Sequence, residues 1–371
     1  MYGHLSRILI AAFLLMTAVE GTWGIEMHRN PLMWAIAVLM MVSLAYSLRE
    51  SIIKKRSIAG ILSHTGMFLV LLGSLAGAPF FVDAQVRVNP GSEVRQAFSR
   101  DGETVPLPFG ISLEEFRADF YEDGVSPKQY TSRLLIDGKE FETSVNHPCR
   151  HGGYGIYQAD FGSENEEYSV LKLVHDPWFP IILIGMLLLA AGAIWGLKQY
   201  WDSWLALAAT GITAVAFGAI SLARINFGTL VPALRSLWFI PHIALYMLAY
   251  SSLALALVTA VLSGLSNQSQ KMGILSSRLF NTASSLLLLG MICGAVWAKE
   301  CWGDWWTWDA KECWAAVTWL LTILGTHLPG RWRERRTMAL VFIILAFAAM
   351  QLTWYGVDML PAARSSLHTY R

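Results

Sequence analysis

Charge is scarce in this sequence. Only 15% of its 371 residues are Asp, Glu, Lys or Arg, against roughly a quarter in a soluble domain. That shortage excludes an ordinary globular fold exposed to water on every side. No excess of one sign makes up for it: the formal net charge is +1, which leaves no electrostatic footprint for nucleic acid. Cysteine is sparse too. Cys149, Cys293, Cys301 and Cys313 show no C-x-x-C spacing, so neither a zinc module nor a thioredoxin-like motif is indicated. No internal repeat or low-complexity segment stands out.

What the sequence has is apolar length. It is 54% hydrophobic and contains 16 Trp. Runs long enough to cross about 30 Å of hydrocarbon lie near 5–23, 31–48, 58–78, 177–197, 203–222, 240–263, 280–298, 309–328 and 338–356. The first has a basic lead, like a secretory signal, but lacks a small-x-small cleavage site and is read as a retained span. The basic loops "RESIIKKRS" and "PGRWRERRT" fall on one side when nine spans are counted, which makes that side cytoplasmic. The N-terminus is then cytoplasmic. Residues 79–176, the loops 223–239 and 299–308, and the C-terminal tail are outside.

Residues 79–176 form the one large polar segment. "YTSRLLIDGKEFETSVN" alternates around an Asp-Gly turn, which predicts a β-hairpin. "GGYGIYQADF" and "EYSVLKLV" add strand-like runs. The expected fold class is an all-α polytopic membrane protein of about nine transmembrane helices, with a small β-rich extracytoplasmic domain inserted. The expected divisions are 1–78, 79–176, 177–222 and 223–371.

Histidine and tryptophan carry the chemistry. His64 falls near the inner end of the third span and His327 at the inner end of the eighth. His242 falls at the outer end of the sixth, and His368 in the outer tail. An ionisable residue inside a span is costly and usually functional, although a neutral His bonded to a neighbouring helix is cheap. One pair near each face matches six-coordinate haem ligation by two imidazoles. Between His242 and His368 lies "ECWGDWWTWDAKECW", with five tryptophans. Trp anchors proteins at membrane interfaces, but adjacent indoles also provide flat apolar area for a planar ligand such as haem. Lys299, Lys311 and Arg235 lie near enough in sequence to meet its propionates. Asp309 and Glu312, spaced Asp-x-x-Glu before an apolar run, predict a capping box that starts the next helix.

The stretch "WGDWWTWDAKECWAAVTWL" resembles the tryptophan-rich WWD signature of haem-handling proteins in cytochrome c maturation. The signature falls on Trp302, Gly303, Trp305, Trp306, Trp308 and Asp309. "LVPALRSLWFIPHIALYMLAYSSLAL" and "YGVDMLPAARSSLHTYR" are similar to the family's flanking segments, with His242 and His368 as outer ligands. "SHTGMFLVLLGSLAG" and "VNHPCRHGGYGIYQADF" resemble the partner protein of the same pathway, with His64 and its counterpart His327 as inner ligands. The whole resembles a fused System II cytochrome c synthetase, of the CcsBA or ResB–ResC type.

That resemblance implies a holocytochrome c synthase of the bacterial cytoplasmic membrane. Haem b, as substrate and ligand, is exported and joined through thioether bonds to the CxxCH motif of an apocytochrome c. It implies membrane lipid and a thiol reductant protein as further partners, and no nucleic acid. The cofactor-binding residues implied are the four His, as axial iron ligands, with the six signature residues. Two other readings fit the same residues: a System I-like protein delivering haem to a chaperone, and a b-type cytochrome for quinone-linked electron transfer. Pairing or redox exchange among Cys149, Cys301 and Cys313, all expected near the outer face, is a further expectation to test.

Overall fold

The apolar runs fold as helices. A computed structural model describes residues 2–55, 57–162, 168–198, 204–222, 229–265, 269–328 and 332–365. Its helices are α1 (Tyr2–Trp23), α2 (Pro31–Ile53), α3 (Ile58–Gly77), α4 (Phe179–Lys198), α5 (Trp204–Leu222), α6 (Phe239–Leu265), α7 (Ser269–Trp302), α8 (Ala310–Thr326) and α9 (Trp332–Gln351). Their starts are set locally. Asn30 Oδ1 accepts from the Leu32 amide (2.9 Å) ahead of Pro31, and Ser57 Oγ accepts from the Gly60 amide (3.3 Å). Both satisfy amides that lack an intrahelical acceptor.

The expected count needs correction. Among the described residues, seven helical segments are long and apolar enough to cross a membrane: His4–Trp23, Pro31–Ile53, Ile58–Phe80, Phe179–Lys198, Phe239–Leu265, Gln270–Trp302 and Arg336–Met359. Helix α8 has only 17 residues, and α5 does not add to the seven. Helix α7 departs in the opposite direction. Its 34 residues extend about 51 Å at 1.5 Å per residue, well past the 280–298 run. It therefore carries Lys299–Trp302 as helix, where the sequence suggested an outer loop.

The expected β-rich insert is present as a substantial sheet, so the chain as a whole is mostly rather than all helical. Eight strands lie in the order β5-β4-β3-β2-β1-β8-β7-β6. They are β1 (Val82–Val88), β2 (Glu93–Ser99), β3 (Thr104–Phe120), β4 (Pro127–Ile136), β5 (Lys139–Ser144), β6 (Cys149–His151), β7 (Tyr154–Gly162) and β8 (Tyr168–His175). Neighbours are antiparallel throughout. The β4–β5 hairpin turns at Asp137 (φ +48°) and Gly138 (φ +77°), as two positive φ angles in a tight turn require. Val88, Ile111, Leu134, Ile136, Ile156 and Leu171 are fully buried in the core of the sheet domain.

Strands β1 and β8 pair from Val82↔His175 to Val88↔Ser169. The chain therefore enters and leaves the sheet side by side, between α3 and α4. Those two helices pack at backbone contact: a Cβ at Gly185 would lie 2.9 Å from the Gly66 carbonyl, and one at Gly66 would lie 2.6 Å from the Gly185 carbonyl. Small residues allow this approach where the surrounding solvent is lipid. The tight pair holds the stem of the sheet. A separate core joins α6, α7 and α9 through Leu253, Leu287 and Ile343, all fully buried.

Candidate functional site: a tryptophan loop over an apolar cavity

After α7 the chain turns at Gly303 (φ +83°) and again at Trp308 (φ +60°) before α8 begins. A bulky residue in the left-handed region costs about 1–3 kcal/mol and persists only where its surroundings hold it. Trp308 is held from the C-terminal side, where Cys313 Sγ donates to its carbonyl (3.3 Å). The expected capping box is present. Asp309 Oδ1 accepts from the Lys311 amide (2.8 Å), and Glu312 Oε2 accepts from the amides of Thr307 (2.7 Å) and Asp309 (3.3 Å). The loop is thus welded to the start of α8.

From the other side the loop is clamped by the sheet. Strand β8 is buried on both faces: Leu171 and Leu173 point into the sheet core, while Lys172 and Val174 are buried as well. Lys172 Nζ donates to Asp304 Oδ2 at 2.6 Å and lies 3.4 Å from Asp83 Oδ1. Arg100 reaches both carboxylates, at 3.2 and 3.5 Å. Burial holds the Asp83 carboxyl above its ordinary range, opposed chiefly by the Lys172 charge. Lys299, at the end of α7, pairs with Asp176 just after β8 (3.1 Å). Of these residues only Lys299 was singled out in the sequence, and for a different partner. The available signal was a lone Lys in the apolar run of β8, which is costly to bury unless paired.

The tryptophans divide rather than forming one flat shelf. Trp302 packs 5.7 Å from Trp297, which lies 5.5 Å from Phe239 and 5.8 Å from His242. Trp305 stacks on Phe179 at 5.1 Å, with Lys299 Nζ 5.5 Å from its ring. Trp306 and Trp308 meet edge to face, 81° apart. Tilted and edge contacts suit the ring quadrupoles better than a coplanar row, so a single platform for a disc is not what folding produces.

Beneath Trp305, Trp306 and Trp308 lies a cavity of about 750 Å³. Its walls come from α1, α2, α3, α4, α7 and α8, and residues of the sheet domain, Asp83 and Arg100 among them, stand at one end. Its interior is apolar and rich in thioethers: Met33, Met67, Met186 and Met291. Along α3 it runs from Met67 to Ala78, about 16 Å at 1.5 Å per residue. His64 stands one helical turn before Met67. Two lining indoles, those of Trp305 and Trp319, have buried Nε1–H groups with no acceptor among the described residues. A buried donor normally has a partner, so these two fit an occupant that brings acceptor atoms.

Two family models match the chain: the Cytochrome C assembly protein family over residues 201–363 and the ResB-like family over residues 55–167. The cytochrome c biogenesis protein CcsA of Synechococcus sp. strain RCC307 is 31% identical over 217 residues, 47% of this chain and 68% of that protein. The chain belongs to the cytochrome c assembly family. The CcsA proteins of Prochlorococcus marinus subsp. pastoris and Guillardia theta are 31% and 30% identical, over 38% and 42% of this chain. The chain spans 55% and 62% of those two. The ResB-like match precedes the assembly match on one polypeptide, consistent with a fused ResB/CcsA synthetase.

The assembly-family segment holds His242, half-buried on α6. Its Nδ1 is 2.9 Å from the Gly290 carbonyl. A carbonyl only accepts, so Nδ1 carries the proton and the lone pair lies on Nε2. His327 caps α8, with Nδ1 bonded to the Ile323 carbonyl (2.9 Å), and His64 is half-buried on α3. Helix α3 packs mainly on α2 and α4, and α8 mainly on α1, α7 and α9. His368 lies outside the described residues. Of the basic residues expected to meet propionates, Lys299 is paired with Asp176, Lys311 is 3.7 Å from Asp358, and Arg235 donates to the Lys128 carbonyl.

No disulfide links the cysteines: all four are free thiols, and Cys301 and Cys313 are buried. They sit apart, Cys149 beside the sheet core, Cys301 beside Trp297 and Cys313 in α8. The expected redox pair is therefore not formed. Burial pushes the Cys149 thiol up to about 11. At pH 8 only about one thiol in a thousand is then thiolate, and thiolate is the reactive form. Iodoacetamide is expected to label Cys149 in the folded protein far more slowly than a free thiol, with the rate still rising above pH 10. The mass of the fully alkylated, unfolded chain is expected to be the same with or without prior reduction.

Proposed function

We propose that this chain exports haem b across the bacterial cytoplasmic membrane and joins it to the CxxCH motif of an apocytochrome c, as a holocytochrome c synthase. The observation that carries this reading is the tryptophan loop above an apolar cavity whose buried indole donors lack acceptors. The printed names of the relatives support a part in cytochrome c maturation. The domain division follows the same reading: a ResB-like region over 1–78, an extracytoplasmic sheet domain over 79–176, connecting helices over 177–222, and a CcsA-like haem-handling region over 223–371. The N-terminus is cytoplasmic, and the tryptophan loop and C-terminus are outside.

His64 and His327 receive haem near the inner face, and His242 with His368 hold it at the outer face. The signature residues Trp302, Gly303, Trp305, Trp306, Trp308 and Asp309 build the outer site. The His242 tautomer supports its part, because an imidazole whose Nδ1–H is held by a carbonyl offers Nε2 to iron. Attachment adds each cysteine S–H across a vinyl C=C: sulfur bonds to one carbon, the proton ends on the other, and no electrons are gained or lost. The protein supplies orientation by holding haem while the CxxCH segment approaches. Because the thiols must be reduced, a thiol reductant protein is a partner, with membrane lipid surrounding the helices.

An absorbance spectrum of the full chain purified in detergent from haem-sufficient cells tests this. Wild type is expected to show a Soret band and to leave haem on a co-expressed cytochrome c after denaturation. His242→Ala is expected to lower that covalent haem by on the order of tenfold or more. Wild type with no haem would remove the reading. Haem bound and cycled with a quinol, but never attached, would favour the electron-transfer alternative.

A further inference from the structure

We propose that the cavity beneath Trp306 and Trp308 is a further haem compartment, in which His28, oriented by Glu20, is an axial ligand to the iron. The inference rests on the haem-handling reading above, and deepens it by adding a site and a ligand outside the two expected His pairs.

His28 sits in the short connection between α1 and α2 and lines the cavity. Its ring is held by one hydrogen bond and one ring contact, and its backbone by two further hydrogen bonds. Glu20, near the end of α1 and 4% exposed, gives one carboxylate oxygen to His28 Nδ1 and the other to the His28 amide (3.0 Å). The His28 carbonyl accepts from Trp34 Nε1 of α2 (2.8 Å). The imidazole lies nearly parallel to the Trp308 ring, 9° between planes and 5.4 Å between centroids. Trp308 is the residue held in the left-handed region. A strained backbone whose side chain stacks on a carboxylate-bonded imidazole marks a site shaped for more than packing.

The chemistry of the pair is specific. A carboxylate bonded to Nδ1 fixes the tautomer with the lone pair on Nε2, which is the usual environment of a metal-bound His. The neighbourhood suits a planar amphipathic ligand. The cavity volume of about 750 Å³ lies within the range of large small-molecule sites. Two of its lining indoles, Trp305 in the loop and Trp319 well inside α8, have N–H donors with no acceptor among the described residues, and Arg29 and Arg100 line the same cavity together with Asp83, Asp101, Asp176 and Asp304. Both guanidinium groups are about half exposed and already shared, Arg29 with Glu26 and Asp101 and Arg100 with Asp83 and Asp304. Carboxylates on the ligand would bond to them in the bidentate manner that guanidinium favours. A His serving only to neutralise Glu20 would need neither the ring stacking nor the open cavity beside it.

Titration of the full chain in detergent with ferric haem tests the assignment, using wild type, His28→Ala, Glu20→Gln and His242→Ala. His28→Ala is expected to lose one class of bound haem or weaken it at least tenfold, with added imidazole restoring the wild-type spectrum of that class. Glu20→Gln keeps the ligand but is expected to weaken the same class by about tenfold. His242→Ala is expected to leave this class in place. If wild type takes up haem and His28→Ala has the same spectrum and affinity, the inference is wrong while the haem reading stands. Loss in His28→Ala that imidazole does not restore assigns the ring a structural role and also overturns it. Wild type that takes up no haem overturns both.

Discussion

Replacing Lys172 by Met is expected to release the tryptophan loop from the sheet domain. Met has similar length and no charge, so Asp304 loses its 2.6 Å partner and Asp83 one of its two cations, the one at 3.4 Å. Breaking a buried ion pair from one side costs about 3–5 kcal/mol, because a charge is left without compensation. Arg100 still reaches both carboxylates, which argues for the lower end of that range. The loss should be local, seen as faster hydrogen exchange of the 302–309 amides and lower haem content, while the helices stay protected.

The pH dependence of that variant carries a sign. Burial already raises the Asp83 pKa, and Lys172 is the largest influence lowering it. A group whose folded value is raised stabilises the fold when protonated, and this contribution is lost as pH rises through that value. Without Lys172 the value rises further. The defect is therefore expected to be greatest near pH 7 and to narrow as pH falls towards about 5. Adding Asp83→Asn and Asp304→Asn should recover much of the loss, since an unpaired buried charge is its main cause. Equal exchange in wild type and Lys172→Met would show that the clamp does not hold the loop.

The second large effect is expected at Gly303. Its φ of +83° lies where L side chains are strained, and a Cβ there would stand 2.7 Å from Val174 Cγ2 and 3.0 Å from Tyr157 Cε2. Gly303→Ala therefore combines backbone strain with overlap against the sheet, roughly 3 kcal/mol or more together. The two parts are separable. Val174→Ala removes the overlapping methyl groups, so in the Gly303→Ala background it should restore stability in part, although alone it destabilises. The residual loss measures the strain at φ together with the remaining overlap on Tyr157. Thermal unfolding of the four proteins gives the cycle, and simple additivity would mean that the loop does not seat on β8.

Much of the architecture was legible in the chain itself. Lack of charge and the length of the apolar runs set the membrane class, because a lipid-facing helix must bury its backbone within itself. The Asp137-Gly138 turn set the β4–β5 hairpin, since few dipeptides tolerate two positive φ angles. Asp309 and Glu312 set the start of α8 through amides only three residues away. Each is a short-range effect, carried by neighbours along the chain. The length of α7 was not legible, because polarity marks where lipid ends but not where a helix ends: Lys299 stays helical by pairing with Asp176.

The functional surroundings were legible by residue type but not by arrangement. The tryptophan row and the presence of His242 in a helix beside it follow from sequence. The seating of Lys172 on Asp304, 132 residues apart, does not. Nor does the stacking of His28 on Trp308, or the division of the tryptophans between His242 and the cavity. Periodicity says which face of an element is apolar and is silent about which distant element covers it. That choice is made by shape and charge over the whole packed molecule.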